Sequence, residues 1–167
     1  EYPLSVVALV KVNSSHTGTI FFNGEGNQDD DFIVLRVQES SDVNLNVLVS
    51  GSNAFKAASA TTLVASAGTW ALMGASITQF DQTLFLDNDF QDFTNNNLGV
   101  FSSVNRTAIG RRERLNPIQP FDGDIAFVAA LDRTVSKGEW DSWYDEARRG
   151  FPTLLNTRSR IFGLAGT

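Results

Sequence analysis

Short runs of alternating apolar and polar residues follow one another along most of the chain, and turn-forming residues separate the runs. In residues 43–49, Val or Leu occupies every second position and two Asn residues stand between them. A period of two is what a strand with one buried face requires. Similar runs predict further strands at residues 4–12, 18–22, 32–37, 61–65, 70–78, 83–86 and 98–102.

A different period near the C-terminus predicts a single helix over about residues 136–149. Ser136 is placed to cap its first turn, and Glu139 follows three residues later, as in a capping box. Arg148 and Arg149 suit the negative end of the helix dipole. One face is apolar because large side chains recur at helical spacing, at Trp140, Trp143, Tyr144 and Ala147.

Strands at this spacing, with no amphipathic helices between them, favour an all-β sandwich or barrel and argue against a parallel α/β fold. The chain has 167 residues, which is enough for one domain and short for two. We expect one domain over residues 1–152 and an extended C-terminal tail over residues 153–167.

Several segments resemble the laminin G-like and pentraxin-like domains of the concanavalin A-like superfamily. Downstream these segments are Ile109-Gly110, Phe121-Asp122-Gly123-Asp124-Ile125, Leu131-Asp132-Arg133, Val135-Ser136 and Glu139. Upstream they are Gly68-Thr69-Trp70 and Leu84-Phe85-Leu86-Asp87, with Asn88 where the superfamily usually has Gly. The resemblance covers about residues 4–150. It implies a two-sheet antiparallel jelly-roll sandwich with one short C-terminal helix.

The strand that opens at Phe121 shows the expected period most clearly. Period two places Phe121, Gly123, Ile125 and Phe127 on one face and points the Asp side chains between them outward. Gly123 is expected to leave room for a bulky neighbour, such as a Trp of the helix.

The end of the chain resembles laminin G-like domains of bacteriophage structural proteins, in which a helix runs into a Pro-containing basic tail. This resemblance implies a non-enzymatic structural or adhesion module of a virion, such as a capsid decoration, fibre or tail protein. The expected partners are neighbouring subunits. The docking residues would be Arg148, Arg149, Arg158 and Arg160.

A carbohydrate-binding module, possible on this fold, is the alternative, and its ligands would include cell-surface glycans. Sugar sites combine an exposed aromatic ring with a few polar groups. The segment 87–97 offers such a set, and we expect the ligand-binding residues to be Asp87, Asn88, Asp89, Phe90, Asp92, Phe93 and Asn95. Trp70 is a further candidate ring, although a Trp in a strand is more often part of the core.

No cofactor is expected, and calcium is the one metal that stays open. Laminin G-like and pentraxin-like relatives often bind calcium through loop oxygens, and Asp87 and Asp89 would be the first candidates here. The segment Asp29-Asp30-Asp31 is a second source of oxygen ligands. Zinc is disfavoured because the chain has one His and no Cys.

The sequence gives no reason to expect an enzyme, and a glycosidase is the least favoured class. A retaining glycosidase needs two carboxylates about 5 Å apart. The nearest match to the glycosidase motif of this superfamily, Glu139-Trp140-Asp141 with Asp145-Glu146, falls on the predicted helix. There its carboxylates would form the solvated face opposite the Trp residues.

The net charge of −6 argues against binding to nucleic acid, because an acidic surface repels phosphates. No apolar run approaches the roughly 20 residues that a membrane helix needs, so no membrane insertion is expected. The two functional hypotheses place the protein on a virion or outside the cell.

Overall fold

A computed structural model of the protein describes residues 3–13, 18–24, 32–38, 43–51, 54–65, 67–94, 106–111 and 120–150. The chain forms two compact units, Glu1–Thr134 and Val135–Thr167. The first unit contains ten described strands: β1 (Leu4–Val12), β2 (Gly18–Gly24), β3 (Phe32–Gln38), β4 (Val43–Gly51), β5 (Ala54–Ala65), β6 (Trp70–Ile77), β7 (Asp81–Leu86), β8 (Asp89–Thr94), β9 (Arg106–Ile109) and β10 (Gly123–Leu131). The second unit contains one described helix, α1 (Lys137–Arg149).

The ten strands form two antiparallel sheets of five. Sheet A has the order β10-β1-β6-β7-β8, and sheet B has the order β5-β4-β3-β2-β9. Strands that are distant in sequence therefore lie side by side, as β1 does between β6 and β10. This arrangement confirms the predicted two-sheet antiparallel sandwich with a short helix.

The core consists of the apolar side chains on the inner faces of the two sheets. Strand β1 contributes every second residue, Val6, Ala8, Val10 and Val12, to this core. Val7 and Leu9 between them are also buried but belong to the other face of the sheet. The other members of the cluster are Ile20, Phe21, Ile33, Leu35, Val37, Ala71, Met73, Ala75, Ile77, Leu84 and Leu86. Burial of this much apolar surface is the main force that holds the sheets together.

Strand β2 departs from simple alternation. Its pairing with β3 shifts register between Thr19 and Phe21, so Ile20 and Phe21 both join the core. Phe22 then belongs to a second cluster with Phe32 and Val34. The rings of Phe22 and Phe32 stack with their centroids 6.3 Å apart. Sheet B therefore buries apolar side chains on both of its faces.

A similar register shift places one residue of β10 on a different face from the predicted one. The pairing of β1 with β10 shifts register at Leu9–Val10, which pairs Val10 with Ile125 and Leu9 with Phe127. Ile125 packs against the core as expected. Phe127 lies on the opposite face, so the prediction that it shares a face with Ile125 is wrong.

The neighbour of Gly123 also differs from the expectation. A Cβ atom at Gly123 would fall on the carbonyl oxygen of Lys11 in the adjacent strand and 2.8 Å from Cε1 of Phe121. The glycine therefore makes room for the backbone of β1 and for the ring of Phe121, both within the sandwich unit.

The helix begins and ends where the sequence predicts. The Ser136 hydroxyl accepts a hydrogen bond from the backbone N–H of Glu139, with an N–O distance of 3.2 Å. Trp140, from the apolar face, is buried. No helix among the described residues is both long and apolar enough to cross a membrane. The predicted tail, residues 153–167, lies outside the described residues, and so does the predicted strand at residues 98–102.

Candidate functional site

The segment that follows β7 forms a turn and a strand, although the sequence suggested a loop over residues 87–97. Leu86 pairs with Asp89, so Asp87 and Asn88 alone make the turn. Asp87 adopts a positive φ of 52°, a backbone conformation that Asp and Asn tolerate better than most residues. Strand β8 then runs as the last of the described strands on this side of sheet A.

This geometry places the predicted ligand-binding residues on opposite faces of sheet A. Register with β7 places Asp89 and Phe93 on the inner face of the sheet and Phe90 and Asp92 on the outer face. Phe93 packs against the core, so it is not the exposed ring that a sugar site needs. Phe90 is 43% exposed, and Asn88 is exposed in the turn. Asn95 lies outside the described residues.

Two of these residues form hydrogen bonds within the sheet. Asp92 Oδ1 accepts a 2.6 Å hydrogen bond from the hydroxyl of Thr83 in β7. Asp87 Oδ1 accepts a 2.9 Å hydrogen bond from the backbone N–H of Leu72 in β6, and the Asp87 N–H donates to the Leu72 carbonyl. The Asp87 carboxylate therefore fastens the turn to the neighbouring strand.

Burial raises the pKa of Asp87, the Leu72 N–H opposes that shift, and the charge of Asp89 adds to it. Among the described residues, no group of three or more His, Cys, Asp or Glu side chains is arranged to hold a metal ion. Calcium binding by Asp87 and Asp89 gains no support from this geometry.

Replacing Asp87 by Asn is expected to stabilise the folded protein at neutral pH and to have little effect at acidic pH. The pKa of Asp87 is raised on folding, so ionisation costs stability, and that cost appears as the pH rises through the unfolded and then the folded pKa. Asn retains an oxygen for the Leu72 N–H and tolerates the positive φ. Chemical denaturation of both proteins across this pH range measures the difference.

Asp87→Ala removes the hydrogen-bond acceptor as well as the charge. Its comparison with Asp87→Asn therefore isolates the effect of the hydrogen bond and the backbone. Ala cannot accept from Leu72 and is strained at positive φ, so we expect it to be about 2 kcal/mol less stable than Asp87→Asn at all pH values. Equal stability of the wild type and Asp87→Asn at every pH would contradict the raised pKa.

A second set of side chains crosses the outer face of sheet A at the end where β1 finishes and β6 and β10 begin. Lys11 pairs in register with Trp70 on one side and with Asp124 on the other. These three residues are called the Trp70 row. They point away from the core, because their neighbours Val10, Val12 and Ala71 belong to it.

The Trp70 row combines an accessible aromatic ring with a charged pair. Trp70 is 39% exposed, so the prediction that a Trp in this strand is more often buried does not hold for it. The Lys11 ammonium lies 2.6 Å from Asp124 Oδ2 and 5.7 Å from the centre of the Trp70 ring. At 5.7 Å a cation over an indole is attracted by the negative face of the ring. The row thus offers a flat apolar surface beside a hydrogen-bond donor and an acceptor.

The backbone around the Trp70 row is fixed by hydrogen bonds between segments. The Gly68 N–H donates to the Val12 carbonyl at 2.7 Å, and the Asn13 N–H donates to the Asp122 carbonyl at 3.0 Å. The turn at Asp87 lies at the same end of sheet A, since Asp87 bonds to Leu72, two residues from Trp70. Rigid elements hold binding groups more accurately than loops do.

Sequence reasoning noted Trp70 and the outward Asp124 separately and missed Lys11. A signal for Lys11 was present, because it is the single charged residue in an otherwise β-branched and apolar strand. Only the pairing of β1 with both β6 and β10 brings the three side chains together.

The structure describes two of the four predicted docking arginines. Arg148 and Arg149 are exposed in the last turn of α1, and the Arg148 guanidinium lies 5.7 Å from the centre of the Tyr144 ring. Arg158 and Arg160 lie outside the described residues, as does Asp29-Asp30-Asp31. Docking on neighbouring subunits stays a prediction.

Comparison with known proteins finds similarity in structure. No protein-family profile matches the chain, and no curated protein matches it significantly. The structure is similar to the CBM40 of the Ruminococcus gnavus IT-sialidase bound to α2,3-sialyllactose, with a TM-score of 0.74 and 12% identity over 85% of this chain and 82% of that one.

Two further structures have the same kind of fold. A SAP-like pentraxin from Limulus polyphemus has a TM-score of 0.66 and 15% identity over 85% of this chain and 69% of that one. Domains LG4-5 of the mouse laminin α1 chain have a TM-score of 0.59 and 16% identity over 81% of this chain and 37% of that one. The chain therefore has the concanavalin A-like jelly-roll fold, shared with laminin G-like and pentraxin-like domains.

Proposed function

We propose that the protein is a non-enzymatic carbohydrate-binding module and that the Trp70 row is its binding site. The observation that carries the proposal is the exposed indole of Trp70 beside the Lys11–Asp124 pair on a rigid sheet. The fold supports it, because a structurally similar domain was solved with sialyllactose bound.

The chemistry of the Trp70 row suits a sugar. The C–H face of a pyranose is apolar and packs on an aromatic ring, while its hydroxyl groups need donors and acceptors at the edge of that ring. Lys11 supplies N–H donors, and Asp124 supplies carboxylate acceptors. Both side chains reach solvent, so a sugar hydroxyl can join their hydrogen-bond network without burial of an unpaired charge.

The proposal includes no hydrolytic step. The Trp70 row contains one carboxylate, Asp124, and that group forms an ion pair with Lys11. Glycoside hydrolysis requires a pair of carboxyl groups at a defined separation.

A glycan-binding module acts where glycans are displayed, so we place the protein outside the cell or on a particle that meets a cell surface. The proposed partner is a glycan. A role as a virion structural protein remains a separate hypothesis, which no observation on the described residues favours over glycan binding.

Replacing Trp70 by Ala is expected to weaken glycan binding by about 2 kcal/mol, or roughly 30-fold in Kd, because the stacking surface is lost. Screening the wild type on a glycan array and then titrating the best binder by calorimetry gives the measurement. Trp70 is half-exposed, so the variant should remain folded.

Phe80→Ala is the matched control. Phe80 is 53% exposed in the turn between β6 and β7, at the opposite end of β6. We expect this variant to bind as the wild type does. Binding that survives Trp70→Ala, or that is lost equally in both variants, would rule out the Trp70 row as the site.

A further inference from the structure

We infer that the glycan held by the Trp70 row is neutral and that sugars carrying a carboxylate, such as sialic acids and uronic acids, are disfavoured. This inference rests on the proposed function and specifies its ligand class. Its basis is the arrangement of charges around Trp70.

The only cation of the Trp70 row is already engaged. Lys11 Nζ lies 2.6 Å from Asp124 Oδ2, a distance typical of a charge-assisted hydrogen bond. An incoming carboxylate would have to displace Asp124 from Lys11 or share the ammonium with it, and the two anions would then lie within a few ångströms of each other. A neutral hydroxyl can instead donate to Asp124 or accept from Lys11 while the ion pair stays intact.

Carboxylates also stand on both sides of Trp70. Neighbouring strands are about 4.8 Å apart, so Asp124 lies two strands from Trp70, about 10 Å away across Lys11. On the other side, β7 neighbours β6, and its turn into β8 carries Asp87. At separations near the Debye length of about 8 Å, salt screens much of this repulsion at physiological ionic strength, so the carboxylates act on a bound anion mainly at low salt.

The Trp70 row itself contains one cation, Lys11. Arg111 follows β9, in sheet B, and Asp122 stands at the same end of the sandwich, immediately before β10. Among the described residues, the row thus has Lys11 as its single cation, against Asp124 within the row and Asp87 at the adjacent turn.

The test compares matched glycan pairs that differ by one sialic acid or uronic acid. The glycan array identifies neutral binders, and calorimetry gives Kd for each neutral glycan and its acidic counterpart at low and high salt. We expect the acidic counterpart to bind about tenfold more weakly at low salt and the difference to shrink at high salt.

Asp124→Asn tests whether the charge of Asp124 causes the weaker binding of the acidic glycan. It removes the negative charge beside Lys11, so the penalty for the acidic glycan should fall severalfold. Asp92→Asn is the matched control, because Asp92 is an exposed carboxylate on the same face of sheet A that bonds to Thr83 and lies outside the row. It should leave the ratio of the two Kd values unchanged.

The outcomes distinguish the two proposals. Trp70-dependent binding that is tighter for the acidic glycan would overturn the inference and leave the proposed function standing. An unchanged ratio in Asp124→Asn would overturn the assigned cause. Absence of binding to neutral and acidic glycans alike would overturn the proposed function, and the inference with it.

Discussion

Gly123→Ala is expected to destabilise the sandwich by about 3 kcal/mol or more, the largest effect of any single methyl group that the structure indicates. The added Cβ would fall on the carbonyl oxygen of Lys11 and 2.8 Å from Cε1 of Phe121. The oxygen belongs to the backbone of β1, which is paired with β6 on its other side and cannot retreat without loss of that pairing. Chemical denaturation monitored by Trp fluorescence measures the change.

Gly138→Ala provides the control for this experiment. Nothing lies within 4 Å of a Cβ atom at Gly138, which occupies the first turn of α1. Ala favours the helix by up to about 1 kcal/mol over Gly, so this variant should be as stable as the wild type or slightly more so. A loss below about 1 kcal/mol in Gly123→Ala would show that β1 and β10 can separate without cost, contrary to the close packing described.

Phe22→Ala should cost about 3–5 kcal/mol, the usual range for removal of a fully buried Phe ring. Phe22 is 1% exposed and stacks on Phe32, on the side of sheet B that faces away from the main core. The loss would show that the second cluster contributes to stability as a core does. Thermal or denaturant unfolding of the variant gives the value.

Phe80→Ala serves here as well, because it removes the same ring from a position that is 53% exposed. Its expected cost is below about 0.5 kcal/mol. A similar small loss for Phe22→Ala would mean that the Phe22–Phe32 cluster is not a structural core.

The local features of the fold could be predicted because each has a short-range cause. The bounds of β1 match the prediction, since β-branched and other apolar residues fill most of the strand from Leu4 to Val12. The helix could be placed from Ser136 and Glu139, whose spacing specifies a cap independently of tertiary contacts. The resemblance indicated the residues of the last strand but not its pairing partners.

Strand β8 was not predicted from the sequence. It runs from Asp89 to Thr94 and contains two Asp residues, which disfavour strands. Its conformation comes from pairing with β7, which a linear sequence does not display. The register shifts in β2 and β10 are likewise invisible to a period-two argument, and one of them moved Phe127 to the other face.

The candidate site could not be predicted from the sequence for the same reason. Strand β6 reads WALMGASI, in which large and small apolar residues occupy both faces, so alternation cannot tell whether Trp70 is buried or exposed. Its orientation follows from Ala71 and Met73 being core residues. The contact of Lys11 with Asp124 joins residues more than 100 positions apart and depends on the order of strands in sheet A.

The two carboxylates of β8 have a consequence for how copies of the protein meet. An edge strand can recruit a strand from another molecule and start aggregation, and β8 is the last of the described strands on its side of sheet A. Asp89 and Asp92 lie on opposite faces of this edge, so a strand added there would meet a negative charge whichever face it presented. Two copies joined through β8 would bring these charges together, so we expect the two carboxylates to disfavour self-association through this strand.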